Sequence, residues 1–231
     1  MASPYFFEET LPLSNEFIVS EDTSRHISQV LRMKEGEEVI ITNGEGYTIN
    51  AIIVSADKKK TKVKVTKKEF LERSSPKVAI AISLIKNNNR FETFAEKATE
   101  IGISTIIPLI CQRTEKTHFK KERTRSILIS AMLQSQQSWL PELQEAQNIS
   151  EVIKKGNYEQ RFIAHCAEDE KQELKNLLQK NTSKIILIGP EGDFTEEEIQ
   201  DAIKNEYIPV SLGETRLRTE TAGIVAAVLL K

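Results

Sequence analysis

The sequence predicts an α/β protein in which a mostly parallel sheet, covered by helices on both faces, follows a small β-rich domain. Three observations predict it. From Lys77 onward, apolar runs of strand length alternate with amphipathic stretches of helical period, as a parallel sheet with helical crossovers requires. Before residue 72 the runs are short and alternate with polar residues, which suits strands with one wet face. Between the two patterns, Glu72-Arg-Ser-Ser-Pro76 is a polar Ser/Pro stretch of linker type, so the expected domains are 1–72 and 73–231. A chain of 231 residues is long enough for one good core and a second, smaller domain.

In the first domain, strands are expected at Phe17 to Val19, Glu38 to Thr42 and Tyr47 to Ser55, with Asn43-Gly44-Glu45-Gly46 as the hairpin turn between the last two. Ser24 to Met33 has helical spacing, with Ile27, Val30 and Leu31 on one face and Arg25, His26 and Arg32 beside it. Next comes a lysine-rich stretch around Lys58 to Lys68, in which Val63 and Val65 alternate with Lys62 and Lys64 as in a half-buried strand. Two readings stay open there: a solvated edge strand guarded by lysines, or a local cationic patch for nucleic acid.

In the second domain, strands are expected at Val78 to Ile85, Ser104 to Ile110, Arg161 to Cys166, Lys184 to Ile188 and Tyr207 to Ser211. Helices are expected at Arg90 to Glu100, Lys120 to Gln136, Glu170 to Gln179, Glu196 to Lys204 and Thr221 to Leu230. Thr195 with Glu198 three residues later is a capping box that fixes where the fourth of these helices begins. The last helix is apolar nearly all round, which predicts burial on every side.

Composition excludes several classes. A net charge of -2 argues against bulk electrostatic binding of nucleic acid, so any such contact needs a local patch. Cys111 and Cys166 lie in separate apolar runs without metal or disulfide spacing, and His26, His118 and His165 share no metal spacing either. No metal is therefore expected, and a reducing cytoplasm is the plain reading. No secretory pattern opens the chain, and Ala222 to Leu230 is about half the length that crosses a bilayer, so no membrane contact is expected. Kinase, dinucleotide and zinc motifs are absent.

The chemistry gathers on two loops. Lys184-Ile-Ile-Leu-Ile-Gly-Pro-Glu-Gly-Asp-Phe-Thr195 runs from a buried strand through a glycine turn into the capped helix. Val210-Ser-Leu-Gly-Glu-Thr-Arg-Leu-Arg-Thr-Glu-Thr-Ala-Gly223 likewise leaves a short strand and enters an apolar helix. Strand ends of this kind are where open α/β sheets place ligands.

Taken as a pair, these stretches closely resemble the SPOUT superfamily of methyltransferases, and within it the bacterial RsmE-type enzymes that methylate N3 of a uridine in small-subunit ribosomal RNA. The likeness extends through Lys86 to Gly102 and Ala131 to Pro141. Two departures stand out: Asp193 occupies a position where the family usually has a glycine, and Gln137, Ser138 and Trp139 follow the Gln134-Ser135 segment, shortly after which it usually has an arginine. The resemblance implies a PUA-like, RNA-facing β-barrel domain, then a SPOUT α/β domain with a C-terminal trefoil knot, a rare exception to unthreaded chains. It implies S-adenosylmethionine held by Ile188, Gly189, Glu191 and Gly192 of one loop and Leu212, Gly213 and Leu217 of the other. It also implies a homodimer joined through the last helix, with small-subunit ribosomal RNA or the assembled subunit as partner.

Uridine N3 is a weak nucleophile while protonated, so its methylation needs a cation for the developing anion and a base for the proton. Arg218 is the expected cation, and Glu220 or Glu191 the expected base. The plainer alternative is an Arg218–Glu220 salt bridge that organises the loop. Strand ends also make Lys86, Arg90 and Arg113 candidate RNA contacts, with Arg25, Arg32, Lys62 and Lys64 of the first domain. Lys97 and Glu100 read as a surface ion pair, and Trp139 as packing. Methylation of a ribose 2′-oxygen, or RNA binding by a non-catalytic dimer, would fit the same pattern.

Overall fold

The computed structural model describes residues 3–73, 76–155, 157–167 and 171–231. Ser74 and Ser75 of the expected linker, and Glu170 at the start of an expected helix, lie outside the described residues. Two compact units are present, Met1–Arg73 with Met132–Leu140 and Ser74–Ala131 with Pro141–Lys231.

The first unit is built on β1 (Tyr5–Phe7), β2 (Glu16–Ile18), β3 (Glu38–Thr42), β4 (Tyr47–Ser55) and β5 (Lys62–Phe70), in the order β1-β3-β4-β5-β2. Side chains alternate so that Val39, Ile41, Ile49, Ala51, Ile53 and Val63 face one core with Phe6, Val19 and Ile27. The sheet's two edges approach where the Ser20 backbone N–H and hydroxyl both donate to Glu8, at 3.0 and 2.9 Å. β5 corrects the edge-strand reading: it lies between β4 and β2, and only beyond Val65 does it pair with β4 alone. Lys62 is spent on an ion pair with Glu16 at 2.6 Å.

The expected helix from Ser24 to Met33 is a second correction. Helix α1 (Glu21–Arg25) starts earlier, because the Ser20 hydroxyl caps Thr23 N–H and two acids occupy the first turn. It then passes into a π-helical turn at His26–Val30. That wider turn takes Val30 and Leu31 off the face presented by Ile27, and both are exposed. Trp139, in the 132–140 segment, packs within this unit. Its indole N–H donates to Leu71 O at 2.8 Å, Phe70 meets its ring edge-on, and Arg73 lies over it at 5.2 Å.

The second unit holds β6 (Val78–Ser83), α2 (Asn88–Ile101), β7 (Thr105–Ile110), α3 (Lys121–Gln134, whose last residues belong to the first unit), β8 (Glu142–Leu143), β9 (Gln147–Asn148) and α4 (Ile149–Lys155). It continues through β10 (Gln160–Ala164), β11 (Gln172–Glu173), α5 (Leu174–Leu177), β12 (Lys184–Ile188), α6 (Glu196–Lys204), β13 (Ile208–Ser211) and α7 (Thr219–Leu230). The sheet is parallel, in the order β11-β13-β10-β12-β6-β7-β8, with β9 also on β7. β13 is inserted between β10 and β11, which are consecutive along the chain. This interleaving is the strand exchange that a threaded C-terminus needs. β6 and β12 are buried along their whole length, as central strands covered on both faces must be.

The helix expected from Glu170 to Gln179 shrinks to the single turn of α5. Pairing of Gln172 and Glu173 with β13 satisfies their backbone groups, and Leu178 is already extended. Helix α7 is also less enclosed than expected. It buries Gly223, Ala226, Ala227 and Leu230, but Val228 is 61% exposed within one chain. Its inner face needs glycine, since a Cβ on Gly223 would lie 2.6 Å from the Phe94 ring and 2.8 Å from Ile82 Cδ1.

Candidate functional site

At the carboxyl ends of β10, β12 and β13 lie two adjoining cavities of about 340 and 360 Å³, which share Ala164, Cys166, Arg216, Leu217 and Ala222. Leu212 and Gly213 line the first; Ile188, Gly189, Glu191, Asp193 and Arg218 line the second. Each falls in the size range of small-molecule sites, and both sit where an open parallel sheet puts its ligands.

The loop after β12 is shaped by close packing. Gly189 sits against the buried ring of Phe194, which a Cβ would approach to 3.1 Å. Asp193 takes the left-handed conformation, φ 65°, which explains how it stands in a position that suits glycine: Asp is among the few residues that tolerate that backbone. Its carboxylate accepts from Phe194 N–H and from Cys166 N–H, each at 2.8 Å, so it ties this loop to the end of β10. On the other side, the Arg113 guanidinium donates to Gly192 O at 2.7 Å and to Phe194 O at 3.3 Å. The capping box at Thr195 and Glu198 is complete, and the second oxygen of Glu198 accepts from Gln112 N–H at 2.8 Å.

The loop after β13 ends at Arg218, the exposed N-cap of α7, which lines the second cavity. The alternative Arg218–Glu220 bridge is not what Glu220 makes. Its Oε1 lies 3.7 Å from Arg90 Nε, and its Oε2 is buried with no hydrogen-bond partner among the described residues. Residues two apart at a helix start diverge, whereas Arg90 on α2 is brought alongside by packing of α2 on α7. Lys86 pairs with Glu115 at 2.8 Å, and that bond, with the charges of Glu115 and then Glu191, raises its pKa.

The structure thus brings Ile188, Gly189, Glu191, Leu212, Gly213, Leu217 and Arg218 to one place. Gly192 borders it through the carbonyl held by Arg113, while Glu220 stands one turn into α7 beside Arg90. In the first unit, Arg25 pairs with Glu21 and Asp22, whereas Arg32 and Lys64 are exposed. The expected Lys97–Glu100 pair forms at 2.9 Å. Sequence reasoning missed Cys166 and Arg216 as lining residues and Phe194 as the floor under Gly189. For Phe194, the signal was a large apolar side chain just before the capping Thr195. Cys166 is exposed, whereas Cys111 is buried and its thiol pKa is pushed up to about 12, by burial first and the charge of Glu198 second. Among the described residues no cluster of His, Cys, Asp or Glu could hold a metal, and no helix is long and apolar enough to cross a membrane.

Two families match the chain: one described as RNA methyltransferase domain, over residues 72–231, and one described as RNA methyltransferase PUA domain, over residues 19–66. A relative from Buchnera aphidicola, a ribosomal RNA small subunit methyltransferase E, is 30% identical over 98% of this chain and 91% of its own. A probable rRNA-methyltransferase from Porphyromonas gingivalis is similar in structure, with a TM-score of 0.90, 35% identity and coverage of 97% and 95%. A Legionella pneumophila protein solved with the bound cofactor SAM gives a TM-score of 0.90 at 27% identity, covering 100% of this chain and 97% of its own.

Proposed function

The chain belongs to the RsmE-type RNA methyltransferases, and from that premise we propose that it transfers a methyl group from S-adenosylmethionine to N3 of a uridine in small-subunit (16S) ribosomal RNA. One observation carries the reading: the two loops that carry the sequence signature line adjoining cavities at the carboxyl ends of neighbouring strands. Ile188, Gly189, Glu191 and Gly192 would hold the donor on one side, and Leu212, Gly213 and Leu217 on the other. The Legionella relative, solved with bound SAM, supports the identity of the donor. S-adenosylmethionine supplies an activated methyl group.

The protein positions the acceptor and makes it nucleophilic. Arg218, exposed at the cavity rim, donates to the oxygen beside N3 and stabilises the anion that forms there. Glu220 accepts the N3 proton: Arg90 holds one of its oxygens, and the other is buried without a donor. Glu191 is the second candidate base, lining the same cavity.

Lys86 and Arg90 of the methyltransferase domain, 73–231, and Arg25, Arg32 and Lys64 of the PUA-like domain, 1–72, supply local positive charge for RNA phosphates that a net charge of -2 does not, whereas Lys62 is held by Glu16 and Arg113 by the loop carbonyls of Gly192 and Phe194. The partner is ribosomal RNA or the assembled small subunit, in the cytoplasm. A homodimer is supported by the apolar side of α7 that one chain leaves open at Val228. Calorimetry with S-adenosylmethionine tests the donor site, since a pure RNA binder gives no heat. Arg218→Ala tests the chemistry: wild-type methylation in a single turnover by this variant would remove Arg218 from its role.

A further inference from the structure

We infer that Asp193 is a positioning residue for the cofactor cleft, a side-chain lock that joins the loop after β12 to the end of β10 before any ligand arrives. The inference rests on the donor site proposed above. Both loops line the second cavity, through Gly189, Pro190, Glu191 and Asp193 on one side and Ala164 and Cys166 on the other. At this point Cys166 N–H donates to Asp193 Oδ2 at 2.8 Å, which joins the two loops. The other carboxylate oxygen takes Phe194 N–H at 2.8 Å, which fixes the side chain's direction. A carboxylate accepting two backbone N–H groups holds both donors more firmly than neutral acceptors would.

The backbone makes this position separable from ordinary folding. At φ 65° a glycine fits without strain, so Asp193→Gly keeps the turn and removes only the lock. Asp193→Asn keeps a carbonyl oxygen and the tolerance for left-handed backbone, and so retains one of the two bonds. Arg113 holds the same loop from its far side through Gly192 O and Phe194 O, so the loop survives the loss of one clamp. Without Asp193 the end of β10 moves independently, and binding must order it.

The experiment compares wild type, Asp193→Gly and Asp193→Asn on the full chain. Amide exchange at Cys166 is measured without ligand, and S-adenosylmethionine affinity by calorimetry. The lock predicts faster exchange at Cys166 in Asp193→Gly. It also predicts donor Kd raised about tenfold, equivalent to about 1.4 kcal/mol, with a smaller rise in Asp193→Asn and kcat at saturating donor little changed. Melting curves of the three proteins are the control, because a merely structural role would lower the melting temperature without selectively weakening the donor. Wild type that binds the donor together with an Asp193→Gly variant of equal affinity overturns the lock alone. A wild type that gives no heat overturns the donor site as well.

Discussion

Replacing Gly223 by alanine sets two opposed effects against each other, and the structure decides which wins. In an exposed helix the change stabilises by about 1 kcal/mol, because alanine loses less backbone entropy. In α7 the added methyl would lie 2.6 Å from Phe94 Cδ2 and 2.8 Å from Ile82 Cδ1, well inside carbon contact distance. Neither neighbour can swing away, since Phe94 and Ile82 are both fully buried. Overpacking of this kind costs about 1–3 kcal/mol, and with backbone hemmed in on two sides the upper part of that range applies. The net expectation is a loss of about 1–2 kcal/mol, or a melting temperature lower by about 2–8 °C for a chain of this size. Urea unfolding followed by circular dichroism measures it. Adding Ile82→Val removes one of the clashing atoms, so the double variant should lose less than the sum of the two single losses. Because α7 carries Glu220, the single variant should also lose methylation rate at saturating donor. A Gly223→Ala protein as stable as wild type would refute the packing of α7 on α2 and β6.

Glu220→Gln keeps the shape but accepts no proton. The rate should fall about 10²- to 10⁴-fold with donor affinity unchanged, and a rate within threefold of wild type would remove Glu220 as the base. Thiol labelling of the native protein near neutral pH should modify Cys166 and spare Cys111; mass spectrometry of the peptides reads this directly. Stability should decline at alkaline pH. Cys111 and Tyr207 both have folded-state values pushed up to about 12 by burial, from 9.0 and 10.0, so the unfolded chain ionises first. Their contribution is intact below about pH 9 and is lost as the pH rises towards 12, which unfolding curves across that window would show; curves flat from 9 to 12 would contradict it.

Much of the fold was legible where local signals agree. The bounds of Glu38 to Thr42, Tyr47 to Ser55, Lys184 to Ile188 and Glu196 to Lys204 agree with the sequence to the residue, because alternation, an unbroken apolar run or a capping box marks each boundary. Tyr5–Phe7 and the two-residue strands at 142–143, 147–148 and 172–173 left no such trace, since they exist by pairing with a neighbour and not by their own pattern. The insertion of β13 between β10 and β11 is likewise a long-range fact. At the candidate site, the glycine loops were visible as strand-to-helix turns. The partners of Glu220 and Asp193 were not: Arg90 is far away in sequence, and the Cys166 amide offers no side-chain signal at all. Arg113 shows the converse, a cation whose sequence position suggested RNA but whose guanidinium is bonded to loop carbonyls.

In the function proposed above, the two loops present a methyl donor to a pyrimidine nitrogen of small-subunit RNA. Small subunits from cells lacking this protein, incubated with it and labelled S-adenosylmethionine and then digested to nucleosides for mass spectrometry, test it directly. Label is expected in 3-methyluridine and is lost with Arg218→Ala. Label in a 2′-O-methylated nucleoside, or none in either subunits or naked RNA, would contradict it.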